Sequence, residues 1–466
     1  MWTLFQHQLR DNLRSLRFQV SLVVLLLFFV CNGLVYSMKV ERLTQEDRAI
    51  EADDARRYEQ VRTVADAAQG TYRILDQERG TEFIAEAGFN WFQSSLWLSP
   101  ELGYSITLGN VRTTNNWMRR FEVLDWSLAV RYVLSFLCVV LGYNAVSGEL
   151  ESGTLRLVLA NPVARGSFLI GRFLAHLATL LAPALLGILL SLGILAWSGW
   201  VELSWALCRA CLLFGLGAAF LSALFLLLSM GVSALARTSA ASLLFLVTAW
   251  TVLIVVIPQA SYLIATQRVP SVGRYWEEME RARNQTMEAL AREGSMPRDP
   301  VLAAQDGYAA EQRFVQRMAA LDAQLGQMAR QVEQQRQDQY RMAMRVNLLS
   351  PGYAFQYSVE AVLGAGVQKT RHFADQAWRY RQHLQEFLRA QDAVDAASPH
   401  LCFLPRFTST KPLDPALIPR FRASPVPLDV RLANAAVPAI VLVLETALTF
   451  FFALWALNRA DLAAAG

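Results

Sequence analysis

A carboxylate set in the middle of an apolar run is the first residue whose type demands an explanation. Glu445 lies near the centre of 433–457, a stretch otherwise built of Val, Leu, Ala, Thr and Phe. A charge there is costly unless it is neutralised, paired or turned to water. It reads either as a pathway or interface residue or as a protonated glutamate bonded to a neighbouring helix, and the first reading is favoured. Arg131 and Arg209 fall about one turn from the ends of their own apolar runs, where a long side chain can snorkel to water. Arg172 and His176 stand at the opposite ends, beside a short polar segment.

That segment reads Asn144-Ala-Val-Ser-Gly-Glu-Leu-Glu-Ser-Gly-Thr-Leu-Arg-Leu-Val-Leu-Ala-Asn-Pro-Val-Ala-Arg165. Glu149 and Glu151 lie just past an apolar run, and Ser152-Gly153-Thr154 can break one helix and cap the next. Leu155, Leu157, Val158 and Leu159 give the next helix an apolar side, and Asn161-Pro162 ends it. This order of residues predicts a short amphipathic helix lying across a membrane surface. The plainer alternative is a loop helix packed on headgroups.

Other chemistry finds no support in the spacing. Cys31, Cys138, Cys208 and Cys211 fall in or beside apolar runs, and Cys402 lies in a polar segment. No disulfide framework or zinc spacing can be built from them, and the Cys208-x-x-Cys211 pair has no second ligand pair nearby. His372, His383 and His400 are scattered and do not match a zinc site. No Gly-x-x-x-x-Gly-Lys-Ser/Thr occurs, so the phosphate cradle of an ATPase is missing. A formal charge of +4 without a dense basic run argues against nucleic acid. No catalytic residue and no metal site are expected.

The elements that must hold these residues follow from how the apolar residues are distributed. They make up 54% of the 466 residues, against 18% charged, and they are bunched rather than dispersed at helix or strand periods. A bilayer core takes about 20 apolar residues as a helix. Six runs qualify, at 18–37, 127–147, 168–198, 206–236, 240–265 and 433–457. The first is too long for a signal-peptide core, and no small-x-small cleavage site follows it. Arg10, Arg14 and Arg17 before the first run place the N-terminus in the cytoplasm. The 148–167 loop, the turn at Arg237 and the tail at Arg459 then lie on the same side. Arg156, Arg165 and Arg172 agree, and 38–126 and 266–432 fall outside. Residues 1–17 carry Trp2, Phe5, Leu9, Leu13 and Leu16 at helical spacing, which suits an interfacial helix as well as an ordinary basic flank.

The first insertion opens with a charged, helix-prone stretch over 40–75 that should extend the first span out of the membrane. Residues 83–117 are richer in aromatics, Gly, Ser and Thr and suit strands or packed loops. In the second insertion Phe314, Met318, Leu321, Leu325, Met328 and Val332 alternate spacings of four and three, a heptad seam. Its brevity predicts a helical hairpin, separated by a break at 294–300 from an earlier helix over 275–292. Further helices are expected over 353–365 and 372–396. The prolines from Pro399 to Pro427 then force an extended path back to the membrane. The fold class is an all-α polytopic membrane protein with six transmembrane helices and two large, mainly helical extracytoplasmic insertions. The insertions read as interaction surfaces.

With its acidic residues, Ser-Gly-Thr-Leu, helix and Pro-Val-x-Arg, the 144–165 segment resembles the loop of the ABC-2-type permeases. Glu149, Glu151, Ser152, Gly153, Thr154, Leu155, Pro162, Val163 and Arg165 stand in the family's places. A narrower resemblance rests on Leu349-Ser-Pro-Gly-Tyr-Ala-Phe-Gln356, on His372-Phe373 and on Leu404-Pro-Arg-Phe407. These look like a subfamily with a large extracytoplasmic insertion of uncharacterised function. That subfamily often carries a Gly-Thr pair where this chain reads Gly364-Ala-Gly366-Val, so no role of that Thr carries over.

The resemblance implies the permease subunit of an ATP-binding-cassette exporter in the bacterial inner membrane. A separate ATPase, present in two copies and binding ATP and Mg, would dock on the loop through Glu149, Glu151, Gly153, Thr154, Leu155, Arg156, Pro162 and Arg165. A second permease half, identical or paralogous, membrane lipids and a periplasmic partner complete the expected company, and no cofactor belongs to this chain. Glu445, Arg131 and His176 are the polar candidates inside the membrane. The alternative, from a different class, is a non-transporting scaffold or sensor whose insertions bind partners under ATPase control. A membrane-embedded enzyme ranks below both for want of a catalytic constellation.

Overall fold

A computed structural model of the chain describes residues 2–76, 80–86, 95–103, 124–153, 165–267 and 272–460. The N-terminal helix α1 (Trp2–Arg14) ends at Ser15, whose hydroxyl accepts from the Phe18 N–H and caps α2. Helix α2 (Leu16–Gln60) runs unbroken for 45 residues. At 1.5 Å per residue that is roughly 67 Å, about twice a hydrocarbon core. The first span therefore continues into the insertion, as the charged sequence after residue 40 predicts.

Among the described residues six helices are long and apolar enough to cross a membrane: α2, α4 (Trp126–Glu151), α5 (Arg165–Trp197), α6 (Trp205–Leu235), α7 (Ser239–Ala265) and α13 (Leu428–Arg459). The chain is an all-α polytopic membrane protein. Two of the spans contain a widened π turn, Ala129–Leu134 in α4 and Val252–Val256 in α7. Pro183 and Pro438 lie inside α5 and α13, and Pro258 follows the wide turn of α7. Helix α6 packs against α4, α5 and α13, while α2 lies along α5.

Small residues set these close approaches, as they do wherever helices pack without a hydrophobic drive between them. A Cβ on Gly187 of α5 would stand 2.6 Å from Phe29 of α2, and one on Gly231 of α6 would stand 2.6 Å from Phe452 of α13. Asn32, Ser191 and Trp126 form a buried chain across α2, α5 and α4. The indole N–H donates to Ser191 Oγ at 3.2 Å, and that hydroxyl donates to Asn32 Oδ1 at 3.1 Å.

Past α2 the chain forms α3 (Val64–Gln69), opened by a Thr63/Asp66 capping box, and a hairpin of β1 (Tyr72–Leu75) and β2 (Ser95–Leu98). The strands are antiparallel with Tyr72 opposite Leu98 and Arg73 opposite Trp97. Most of the 83–117 stretch falls outside the described residues. The second insertion holds α8 (Val272–Arg292), α9 (Pro300–Gln305), α10 (Ala309–Asn347), α11 (Pro351–Leu363) and α12 (Val367–Ala393). The heptad residues Phe314, Met318, Leu321, Leu325 and Met328 of α10 enter one core with Leu290 of α8, Leu384 and Leu388 of α12, and Ile74 and Leu98 of the hairpin.

The two insertions thus fold together. The proline-rich return joins them from the other side, with Leu413 N–H donating to the Arg62 carbonyl at 2.9 Å and Val64 N–H to that of Lys411 at 3.2 Å. Helix α11 is the exception. Its Ala354, Phe355, Val359 and Leu363 belong to the core of the membrane bundle, where Phe355 meets Phe214 of α6 with ring centres 5.7 Å apart. By sequence it is part of the insertion, but by packing it closes the end of the bundle.

Candidate functional site

The polar segment that begins in the last turn of α4 is held at both ends. Glu149 pairs with Arg172 of α5, and the same guanidinium donates to the Ala145 carbonyl and stands 4.6 Å over the Phe168 ring. Glu151 accepts from both the N–H and the hydroxyl of Ser239, each at 2.8 Å, in the first turn of α7. A carboxylate there satisfies donors that the helix itself cannot and sits at the favourable end of its dipole.

Behind them Ser233 of α6 accepts from the N–H groups of Val146 and Ser147 at 3.0 Å, and its hydroxyl donates to Ser147 Oγ at 3.1 Å. Gly153 turns the chain outward at φ +70, a conformation that glycine reaches without strain. Beyond it Thr154, Leu155, Arg156 and Pro162 lie outside the described residues. Where the chain resumes, Arg165 donates to the carbonyls of Leu457 and Asn458 at 3.2 and 2.9 Å, capping the end of α13. Each flank of the loop is therefore fixed to a different span. Glu151, Ser152 and Gly153 face outward, whereas Glu149 is largely engaged within the chain.

Helix α1 is tied to the same end. The Asn12 amide donates to Thr179 Oγ1 at 3.1 Å and lies 3.1 Å from His176 Nδ1, so both α5 residues anchor the helix. His176 is only 4% exposed and does not contribute to an outer face; it fastens α1. Trp2 and Leu13 remain outward, as a helix lying at an interface requires. Arg17 completes the attachment by donating to Asn144 Oδ1 and to the Tyr143 hydroxyl, both at 2.9 Å. The sequence pointed to neither Asn12 nor Arg17 as an anchor, although an Asn between Leu9 and Leu13 is a usable signal.

The other two polar candidates sit elsewhere. Arg131 does not snorkel: it lies in the wide turn of α4, 9% exposed, covered by α11, with its guanidinium 4.5 Å from the Tyr353 ring centre and 4.6 Å from that of Tyr132. Arg209 is exposed, as its place near a span end predicts. Glu445 is half-buried on α13 between the exposed Leu444 and Leu448, and its Oε2 has no hydrogen-bond partner among the described residues. Among those residues no three His, Cys, Asp or Glu side chains are grouped to hold a metal.

A family model described as "ABC-2 family transporter protein" matches residues 2–462. Two curated proteins are similar over shorter stretches, both bearing the name "Probable ABC transporter permease protein NosY". One, from Pseudomonas aeruginosa, is 39% identical over 56 residues, 12% of this chain and 20% of its own length. The other, from Stutzerimonas stutzeri, is 36% identical over 98 residues, 16% of this chain and 36% of its own. The similarity thus spans well under half of either relative. With the family match running nearly end to end over six spans and the clamped polar loop, the chain belongs to the ABC-2 family of transporter proteins.

Proposed function

We propose that this chain is the permease subunit of an ATP-binding-cassette exporter, driven by a separate ATPase that seats on the 148–165 loop. Family membership supports the permease role. The observation that carries the docking assignment is the clamp around the loop. Glu149 ties it to α5 through Arg172, Glu151 ties it to α7 through Ser239, and Arg165 ties it to α13. A push on the exposed turn at 151–153 is thereby delivered to three spans at once.

Two ATPase copies, carrying ATP and Mg, work with two permease halves, and their closure rearranges the spans around a path between the halves. The loop and both termini lie in the cytoplasm of a bacterial inner membrane, in keeping with the basic residues that flank them. The insertions stand in the periplasm, where their shared core presents a surface to substrate or to a periplasmic partner.

The test is affinity purification of the tagged chain from native membranes in mild detergent, with copurifying subunits identified by mass. Glu149 and Glu151 carry bonds within the chain, so the docking variants are Leu155→Asp and Arg156→Glu, next to the clamp. An ATPase recovered with the parent chain and lost from both variants is the expected result. Folded parent chain that brings down no ATPase in several detergents sinks the proposal. A second reading, a scaffold that binds partners without transport, draws on the insertions' separate hydrophobic core. Reconstituted vesicles separate the two: a transporter moves a substrate across, while a scaffold shows only ATP-dependent partner binding.

A further inference from the structure

Buried polar atoms without a partner among the described residues recur on α4, on α11 and at the turn before it: Nε and Nη1 of Arg131, Oγ of Ser350, Oδ1 of Asn347 and Oε1 of Gln356. Ser350 is fully buried at the N-cap position of α11, yet its hydroxyl caps no main-chain N–H. Gly352, in the first turn, is among the residues whose N–H has no acceptor within the helix. The Arg131 stem crosses that turn so closely that a Cβ on Gly352 would stand 2.7 Å from its Cγ. The stem of a cation, a positive helix end and a free hydroxyl thus lie together at the start of α11, and helix starts bind anions.

Asp125 attracts the Arg131 charge, yet among the described residues no carboxylate forms an ion pair with it. Asp125 is committed to the N–H groups of Leu128 and Glu86, at 2.7 and 2.8 Å. Glu360 is bonded to Gln356 at 2.5 Å, and burial pushes its carboxyl up to about 8, so it is neutral at pH 7. Among the described residues Arg131 has no ion pair: its guanidinium lies against the rings of Tyr132 and Tyr353 and bonds to the Tyr353 side chain, while Nε and Nη1 have no partner. Leaving a buried charge in this state is costly. The wide turns of both α4 and α7 pack against α11 here, and such turns recur at functional sites.

The geometry points to an oxyanion-binding site in which Arg131, Ser350 and the first turn of α11 hold a phosphate group, either free or on a lipid headgroup.

The full chain, purified in an uncharged detergent and freed of lipid, is heated while inorganic phosphate replaces gluconate at fixed ionic strength. The expected result is a saturable rise in Tm, with the half-saturating concentration about tenfold higher or more in Arg131→Gln, the loss of a charge-assisted bond. Ser350→Ala removes a single oxygen and weakens the response several-fold; together with Arg131→Lys it decides the matter should Arg131→Gln fail to fold. The same proteins in phosphatidylcholine nanodiscs with and without phosphatidic acid distinguish the sources. Stabilisation by phosphatidic acid alone, lost in the variants, assigns the site to a lipid headgroup. Equal responses of parent and variants to both probes, or no response to either, overturn the proposal.

Discussion

Arg381 meets Asp322 edge to edge, with Nη1 and Nη2 each 2.8 Å from a different carboxylate oxygen. Its remaining donors reach the carbonyls of Ser99 and Glu101 at 2.8 and 2.9 Å, and Asp322 also accepts from the Gly103 N–H at 3.2 Å. One buried ion pair thus binds α10 and α12 of the second insertion to the strand end of the first. Replacing Arg381 by Met takes the donor from two carbonyls and leaves the buried carboxylate with the Gly103 N–H but no counter-charge. The expected loss is about 3–5 kcal/mol, the usual consequence of breaking a buried pair from one side. Hydrogen exchange on the intact chain checks it: α12 and the hairpin lose protection while the spans keep theirs. Unchanged protection in α12 would refute the role given to the pair.

Glu360 makes stability depend on pH with a definite sign. Its carboxyl is raised to about 8 in the folded chain from an ordinary 4.5, because burial penalises the charged form. Below about 4.5 both states are protonated and the group contributes no difference. Between there and about 8 the unfolded chain loses the proton that the folded chain keeps, so stability falls as pH rises. At about 1.4 kcal/mol per pH unit the whole fall is on the order of 3–5 kcal/mol. Glu360→Gln should flatten that slope and raise Tm most at pH 8. Parallel Tm-versus-pH curves for parent and variant would count against it.

The spans were legible because a bilayer imposes a length and a composition that no soluble helix needs. The extension of α2 past the first span was legible in part: the helix expected over 40–75 ends at Gln60, a Thr63 cap opens a new helix, and Tyr72–Leu75 is a strand. The heptad residues Phe314 to Met328 located α10 and its core face. What the sequence could not supply was pairing at long range. Asn12 lies 164 positions from His176, and neither residue names the other. Tyr72-Arg-Ile-Leu75 is too short a run to announce a strand, and its partner begins only at Ser95. Arg131 was misjudged for a related reason. Its distance from the span end allowed snorkelling, but α11, more than 200 positions later, folds back and covers it.

Two glycines of α6 should respond to alanine with opposite signs. At Gly231 the added methyl would meet Phe452 at 2.6 Å and the Ala453 main chain at 3.2 Å, so α6 and α13 must part. Such overpacking costs about 1–3 kcal/mol. At Gly215 nothing among the described residues beyond the helix's own backbone lies within 4 Å of the new Cβ, and alanine should stabilise the helix by about 0.5–1 kcal/mol. Thermal unfolding of the two variants in one detergent makes the comparison. A lowered Tm for Gly215→Ala or an unchanged one for Gly231→Ala would count against the packing described.

Glu445 tests whether the exposed face of α13 meets lipid in the working protein. Its Oε2 is buried without a partner among the described residues, and Leu444 and Leu448 beside it are 57% and 68% exposed. A carboxylate on such a face costs a few kcal/mol when hydrocarbon surrounds it. Glu445→Leu should therefore raise the Tm of the isolated chain. If water or a second permease half covers this face in the complex, the same change removes a group that the complex uses. ATP-driven activity of the reconstituted assembly should then fall, and Glu445→Gln, which keeps the hydrogen-bonding shape, should restore part of it. Full activity in Glu445→Leu together with the higher Tm would mean that the carboxylate serves no purpose in the assembly. A lower Tm would mean that the single chain already satisfies it.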